Sequence, residues 1–382
     1  MSVATATGLT VDILTGVDAV PAETWDELAP PHDPMWGREV FAAMEHGAIG
    51  PDGYAYAVVR EAGRTIAILP LSAVRGLRLE QVVGPQERRM LAPVSRLFPN
   101  LLRVPMLFCG NFLGQGHVLS REPLTAPVAE LLVRTVLDYA RRNRLGTVVF
   151  KDFAPDELAA LRPALEAADF FQVPSMPDTE LPLDHAATFE DYLAALPAKP
   201  RRNARNKLRK FHARGDLRIE VLSDFAELVP DMLELYRQVM DRADQTLDVL
   251  DESFLHALQQ PGGPDQRLVA CFEGDRLVAF LHCLFRGEGA IGARIGLDYR
   301  LAHEARLYHN VHYAAIELAI DRKCRHIRFA QTAYEPKREL GCELVEQHYA
   351  ITHVSPLPRA VLRLLLPRAL NTALARTLAP RS

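Results

Sequence analysis

From Tyr54 to Val74 apolar and polar positions alternate through YAYAVVREAGRTIAILPLSAV and reverse at Ala62-Gly63, which predicts a β-hairpin. The pattern returns at Leu268 to Leu284, LVACFEGDRLVAFLHCL, where Glu273-Gly274-Asp275-Arg276 answers Glu61-x-Gly63-Arg64. A second correspondence follows each hairpin. Val311, Ala314, Ala315, Leu318 and Ala319 recur at the three-and-four spacing of a buried helical stripe, predicting a helix over Leu307 to Arg322. A strand ending near Leu297 precedes it, and a strand His326 to Ala330 follows, its apolar face carried by Ile327 and Phe329. Likewise helix Val128 to Arg142 and strand Thr147 to Phe150 lead into KDFAPDEL, as the later pair leads into AQTAYEPK.

Self-similarity at two places in the same order predicts a duplicated domain. The expected fold class is α/β (α+β), two tandem units, each a mixed sheet flanked by helices. Trp25 to Met44 reads as a helix-and-loop opening broken by Pro30-Pro31 and Pro34. Leu77 to Pro127 reads as an insertion, either a loop over a binding cleft or a variable surface connection. A boundary is expected near Asp184 to Thr188, with Thr188 capping a new helix and Asp191 in its first turn. The domains are then 1–185, 186–354 and a basic amphipathic tail, 355–382.

Composition narrows the class without choosing a chemistry. The 382 residues are 48% apolar and 24% charged, with a net charge of -4, so any signal for a polyanionic partner must be local. Five scattered cysteines without a Cys-x-x-Cys pair fit a reducing compartment and no disulfide framework, and His309 and His312 lack further ligands for a metal. The amino terminus has no basic region followed by an apolar core, and no apolar run reaches membrane-spanning length, so a cytoplasmic protein is expected.

Candidate chemistry gathers past the carboxyl end of the last strand, where open α/β sheets most often place ligands. Gln331, Thr332, Tyr334 and Lys337 fall there, and Gly341 closes the short helix that carries Lys337. Tyr308 to Gly341, with its closing Gln331-x-x-Tyr334-x-x-Lys337-x-x-x-Gly341, resembles the carboxyl-terminal signature of FemAB-like proteins of the GNAT acyltransferase superfamily. Phe189 to Glu220 is similar to the basic helix and strand that open the second half of such proteins, and the two blocks cover about a fifth of the chain. The resemblance implies paired GNAT domains, amide formation by direct attack without a covalent acyl-enzyme, and a lysine at Lys337 beside the transferred group or a substrate phosphate. Only the second copy has Tyr334 and Lys337 after its last matched strand, where the first has Lys151 and Asp152, so the site is expected in the second half. The usual GNAT pyrophosphate loop, Arg or Gln followed by x-x-Gly-x-Gly, is absent from both halves, a departure that bears on coenzyme A.

Lys337, Tyr334 and Gln331 are the leading catalytic candidates, with Asp298 and His282 as base candidates. His282 lies in the apolar strand VAFLHCLF, where a lone histidine is also a satisfied core residue. Arg294 and Tyr308 are candidate substrate contacts, although Arg294 and Asp298 could instead pair with each other and Tyr308 could be a packing aromatic. Lys199 to Arg214 carries eight Lys or Arg among sixteen residues, with Ala204, Leu208 and Phe211 on one face. It is either a solvated helix face or a phosphate platform in which Arg201, Arg202, Arg205 and Asn206 grip a ligand.

The function expected is acyl transfer from a coenzyme A thioester to a small or peptide-like amine. The alternative is an aminoacyl-tRNA-dependent transferase of Fem type acting on a peptide or cell-wall precursor, with tRNA as partner. Coenzyme A leads because the long helical arm of the classical tRNA-using members would interrupt Arg214 to Leu250, which has no sustained heptad run. A non-catalytic binding module is the third reading. Beyond His353 the tail has no acidic residue. Leu362, Leu365, Leu366, Leu370 and Leu374 alternate with Arg359, Arg363, Arg368 and Arg376 in a pattern broken at Pro367, which reads as a helix packed on the body or lying on an anionic membrane surface.

Overall fold

The computed structural model describes residues 2–4, 8–47, 49–78, 103–242 and 250–379. Two sheets organise the chain. The first runs β1 (Ser2–Ala4), β2 (Leu9–Leu14), β3 (Gly53–Glu61), β4 (Arg64–Arg78), β5 (Arg103–Cys109), β7 (Thr147–Phe153), β16 (His348–His353) and β8 (Phe171–Pro174), with β6 (Leu119–Ser120) beside β4. The second runs β10 (Leu217–Leu222), β11 (Asp265–Glu273), β12 (Arg276–Arg286), β13 (Gly289–Leu297), β14 (His326–Arg328), β9 (Asp178–Pro182) and β15 (Glu343–Val345).

The duplication is real at the level of topology. Both expected hairpins form, as β3–β4 and β11–β12. The first turns on Ala62 and Gly63 at φ 48° and 83°, the left-handed pair that matches the twist of a two-residue hairpin. Each half then has one parallel pair, β5–β7 and β13–β14, and a parallel pair needs a crossover connection. Helices Ala126–Arg142 and Leu307–Asp321 supply it. Thr188 caps helix Phe189–Ala195 as expected, exchanging hydrogen bonds with Asp191 in a capping box.

The sheets do not divide at Asp184 to Thr188. β9, from before that boundary, pairs with β14 and β15 in the second sheet, while β16, from the far end of the second half, lies between β7 and β8 in the first. Each half thus lends the other a strand. The apolar cores show the same interlocking. One packs helices Ala126–Arg142 and Pro155–Ala167 on the first sheet, a second packs helix Leu307–Asp321 on the second. A third joins Trp25, Phe41 and Tyr56 of the first half to Phe254 and Phe280 of the second.

Three expectations need correction. The stretch Leu77 to Pro127 is not merely a loop, because β5 within it is a central strand of the first sheet; its residues 79–102 lie outside the described residues. The strand expected over His326 to Ala330 stops at Arg328, since Ala330 turns left-handed at φ 56°. The tail does not break at Pro367. Helix Pro356–Leu378 runs through it, and Leu362, Leu366 and Leu370 pack on the first sheet beside Phe171, Val173 and Ile351, contacts that offset the missing proline amide.

Candidate active site

In the second sheet the parallel pair comes apart. β14 bonds to β13 only at Gly289, Ala290 and Ile291, whereas β13 continues to Leu297. A bulge starts the divergence: across β12, Cys283 faces Gly292 and His282 faces Arg294, leaving Ala293 as an extra residue that bends the strand. On the other side the chain after β14 stays with β9, the Phe329 amide donating to the Thr179 carbonyl at 3.0 Å. Among the described residues no strand pairs with Arg294–Leu297 on the β14 side. Phe329 stands at the mouth of this split, so close to Gly292 that a Cβ there would come within 2.8 Å of its ring. Behind it the His312 ring, on helix Leu307–Asp321, packs on Phe329 at 4.7 Å and stacks on Tyr308 at 4.2 Å. Burial lowers His312 to about 3, so it is neutral at physiological pH.

The turn after β14 carries three residues at positive φ, Ala330, Thr332 and Ala333, a strained arrangement for residues with a Cβ. Lys337 holds it. Its Nζ donates to the Ala330 and Gln331 carbonyls at 2.9 and 3.0 Å, and desolvation lowers the buried ammonium to about 8, against a nearby Asp178 that favours the charge. Tyr334 donates from its hydroxyl to the Pro177 carbonyl at 2.8 Å, and Gln331 Nε2 donates to Met176 O and Gln347 Oε1, both at 2.9 Å. Gly341, at φ 89°, ends the helix Tyr334–Glu339 in the expected way: the Gly341 amide bonds back to Arg338 and the Cys342 amide to Lys337, the paired bonds of a Schellman cap.

Lys337, Tyr334 and Gln331 therefore share one turn, and Tyr308 reaches it through His312. The other candidates lie apart. Asp298 caps the short helix Tyr299–Ala302 and pairs with Arg276 and Arg300, each at 2.7 Å, rather than with Arg294. Hydrogen bonds from Arg300 and Arg276 hold its carboxyl far below the usual range, which makes it a weak proton acceptor. His282 is buried on the other face of the second sheet against Phe225, where its Nε2 lies 2.8 Å from Gln266 Oε1 and desolvation lowers it to about 3. Arg294 donates to the Ala293 carbonyl at 2.8 Å. On helix Ala198–His212, Arg201 donates to Ala194 O, Arg205 pairs with Glu190, Asn206 accepts from Arg209, and Arg202 is exposed. That helix is tied to the site by Lys207, which pairs with Glu339, itself 3.1 Å from His309. Among the described residues no group of three or more His, Cys, Asp or Glu side chains is arranged to hold a metal.

Residues 198–338 match the family model of the acetyltransferase (GNAT) domain. Residues 198–338 thus form a GNAT-type domain. Solved structures of similar fold include FemX, at TM-score 0.59 and 10% identity, covering 93% of this chain and 99% of that one. The C-terminal domain of a putative lysylphosphatidylglycerol synthetase from Agrobacterium fabrum is similar at TM-score 0.54 and 10% identity, over 90% of this chain and 94% of that one. A tandem GNAT protein from the clavulanic acid biosynthesis pathway is similar at TM-score 0.52 and 13% identity, over 91% and 99%. No curated protein matches the chain. The fold is thus the tandem-GNAT, FemAB-like fold.

Beside the GNAT domain's split strands lies a buried polar seam that sequence reasoning missed. Asp178 accepts from the Thr179 amide and from Gln115 Nε2, each at 2.7 Å, and lies 3.7 Å from Arg328, whose other nitrogen bonds Asp33. Lys151 and Asp152, at the equivalent strand end of the first half, face the same seam: Lys151 Nζ is 2.5 Å from Asp152 and 3.2 Å from Gly114 O. Both carboxylates, Asp152 and Asp178, act electrostatically on Tyr334. The alternation around Ile327 gives Arg328 a face but not the fact that β9 and the Asp33 loop cover it. A separate recess of about 320 Å³ opens at the amino end of β14, between His32, Glu180, Glu288 and His326, and none of the expected site residues lines it.

Proposed function

We infer that this protein transfers an acyl group from a coenzyme A thioester to an amine, using the split between β13 and β14 as the donor groove. The observation that carries this reading is the unpaired edge of β13 beyond its bulge. An extended chain of amides, such as the arm of coenzyme A, can add to such an edge as a further strand would. The amino end of helix Leu307–Asp321 adds a seat for phosphate: its first turn holds no acidic residue and its own amides lack a side-chain cap. In the reaction the neutral amine attacks the thioester carbonyl, the C–N bond forms, the C–S bond breaks, and the surplus proton reaches the leaving thiolate through water. Lys337, Tyr334 and Gln331 act as positioning residues in this account, fixing the turn that walls the groove. Tyr308 lines the same wall, and Asp298 or His282 would serve as bases only after their surroundings opened.

The second reading, an aminoacyl-tRNA donor, is favoured by the exposed Arg202, Arg209 and Lys210 of the basic helix, a surface for backbone phosphates. The acceptor is a small or peptide-like amine in either case. A thermal-shift screen with acyl-coenzyme A and with charged and uncharged tRNA separates the readings, because a ligand of the native state raises the melting temperature by mass action. Stabilisation by acyl-coenzyme A is expected. A response to tRNA alone would replace the donor, and silence to both would favour a non-catalytic binding module.

A further inference from the structure

Helix Pro356–Leu378 has two apolar sides. Leu362, Leu366 and Leu370 face the first sheet, as described above. On the outward side Leu357, Val361, Leu364 and Leu365 are 76%, 48%, 62% and 58% exposed, four of the six large apolar side chains that the described residues leave open to solvent. Their spacing places all four on one stripe. Arg368 follows Leu364 by four residues and continues that stripe, while the exposed Arg363 lies on the flank between the stripe and the packed side. Arg359 is turned inward to Asp169 at 3.2 Å, a contact that anchors the helix to the body. From Ser355 to Ser382 the chain holds no acidic residue at all.

We propose that this outward stripe is a docking surface for an anionic lipid bilayer, with the leucines entering the boundary between headgroups and acyl chains and the arginines meeting lipid phosphates. A short apolar stripe rimmed by charge of one sign is what an interfacial helix presents, and it is too short and too charged to cross a membrane. No helix among the described residues is long and apolar enough to do so. Pairing with a second copy is disfavoured by the same charges, because it would bring arginines into the seam with no acid on their own helix to receive them. The helix that bears the stripe packs on the first sheet, whereas the donor groove belongs to the second, so the surface stands independently of the catalytic reading.

The test is co-sedimentation of the full chain with vesicles of phosphatidylcholine alone or mixed with phosphatidylglycerol, beside a Leu357→Ser, Leu364→Ser, Leu365→Ser variant and an Arg363→Glu, Arg368→Glu variant. These side chains are exposed, so both variants should keep the wild-type melting temperature, which is measured as the folding control. Wild type is expected to bind the phosphatidylglycerol vesicles and not phosphatidylcholine alone, to weaken as salt rises, and to lose binding by roughly tenfold or more in either variant. Equal binding by the serine variant, or no binding by wild type to either vesicle, would overturn the proposal. Self-association that the serine variant abolishes, without vesicle binding, would reassign the stripe to a protein interface and overturn it as well.

Discussion

Lys337 ties stability to pH with a sign opposite to that of an exposed, salt-bridged lysine. Folded, it releases its proton near 8; unfolded, it keeps the ordinary lysine value of 10.5. Between those values the unfolded chain binds more protons than the folded one, so the contribution of this group to stability rises with pH. At neutral pH the difference corresponds to about 3 kcal/mol held against folding, of which about 1 kcal/mol is recovered between pH 7 and 9. Lys337→Met keeps the stem and removes the ammonium. It leaves the Gln331 carbonyl without its lysine donor and the Ala330 carbonyl with the Thr179 hydroxyl at 2.7 Å, a loss of about 1.5 to 3 kcal/mol per charged hydrogen bond that the removed desolvation partly offsets. Urea unfolding of both proteins at pH 7 and pH 9 isolates the effect, because groups not coupled to Lys337 cancel in the difference and His312, which is coupled to it, titrates far below this range. Cys342, the thiol whose titration is linked to Lys337, is pushed up to about 12 and stays outside the window. The stability of wild type relative to the variant should increase by about 1 kcal/mol across the interval. A difference that does not change with pH would refute the buried, low-pKa lysine and with it the account of how the turn is held.

Two further substitutions probe the groove and the seam. Gly292→Val puts a branched side chain against the Phe329 ring at the mouth of the split; it should cost about 1 to 3 kcal/mol and raise KM for the acyl donor more than it lowers kcat, and an unchanged KM would place the donor elsewhere. Asp178→Ala strips a buried carboxylate from Gln115 and Arg328 and should destabilise by about 3 to 5 kcal/mol in chemical denaturation, whereas a loss below about 1 kcal/mol would show that water compensates the seam.

Much of the second half was legible because its signals are local. The hairpin turns, the stripe of Val311, Ala315 and Ala319, the Thr188 cap and the Gly341 stop each depend on a few neighbouring residues, and each is present. What was illegible depends on partners distant in the chain. β9 is five residues and β14 three, too short for alternation to name a partner, and nothing in DTELP states that it leaves its own half to join another sheet. The strand β5 was hidden by the proline-rich stretch before it, and its place became clear only as the counterpart of β13. Asp298 shows the limit for single residues: a pairing four apart was reasonable, but the arginines that hold it come from β12 and from the helix it caps.

The exchange of β9 and β16 changes what a domain means for this chain. The turn that carries Lys337 is not held by the GNAT domain alone. Its carbonyl at Ala330 accepts from Thr179 of β9, its Tyr334 and Gln331 reach Pro177 and Met176 on the approach to β9, and Gln331 also bonds Gln347, the residue before β16 enters the first sheet. All of those partners lie outside residues 198–338, the stretch that matches the family model. The first half is therefore required by the proposed site, because it supplies the Gln115 and Lys151 side of the seam on which this turn rests. On the proposed reading, duplication supplies one donor groove and a second copy of the fold that braces it.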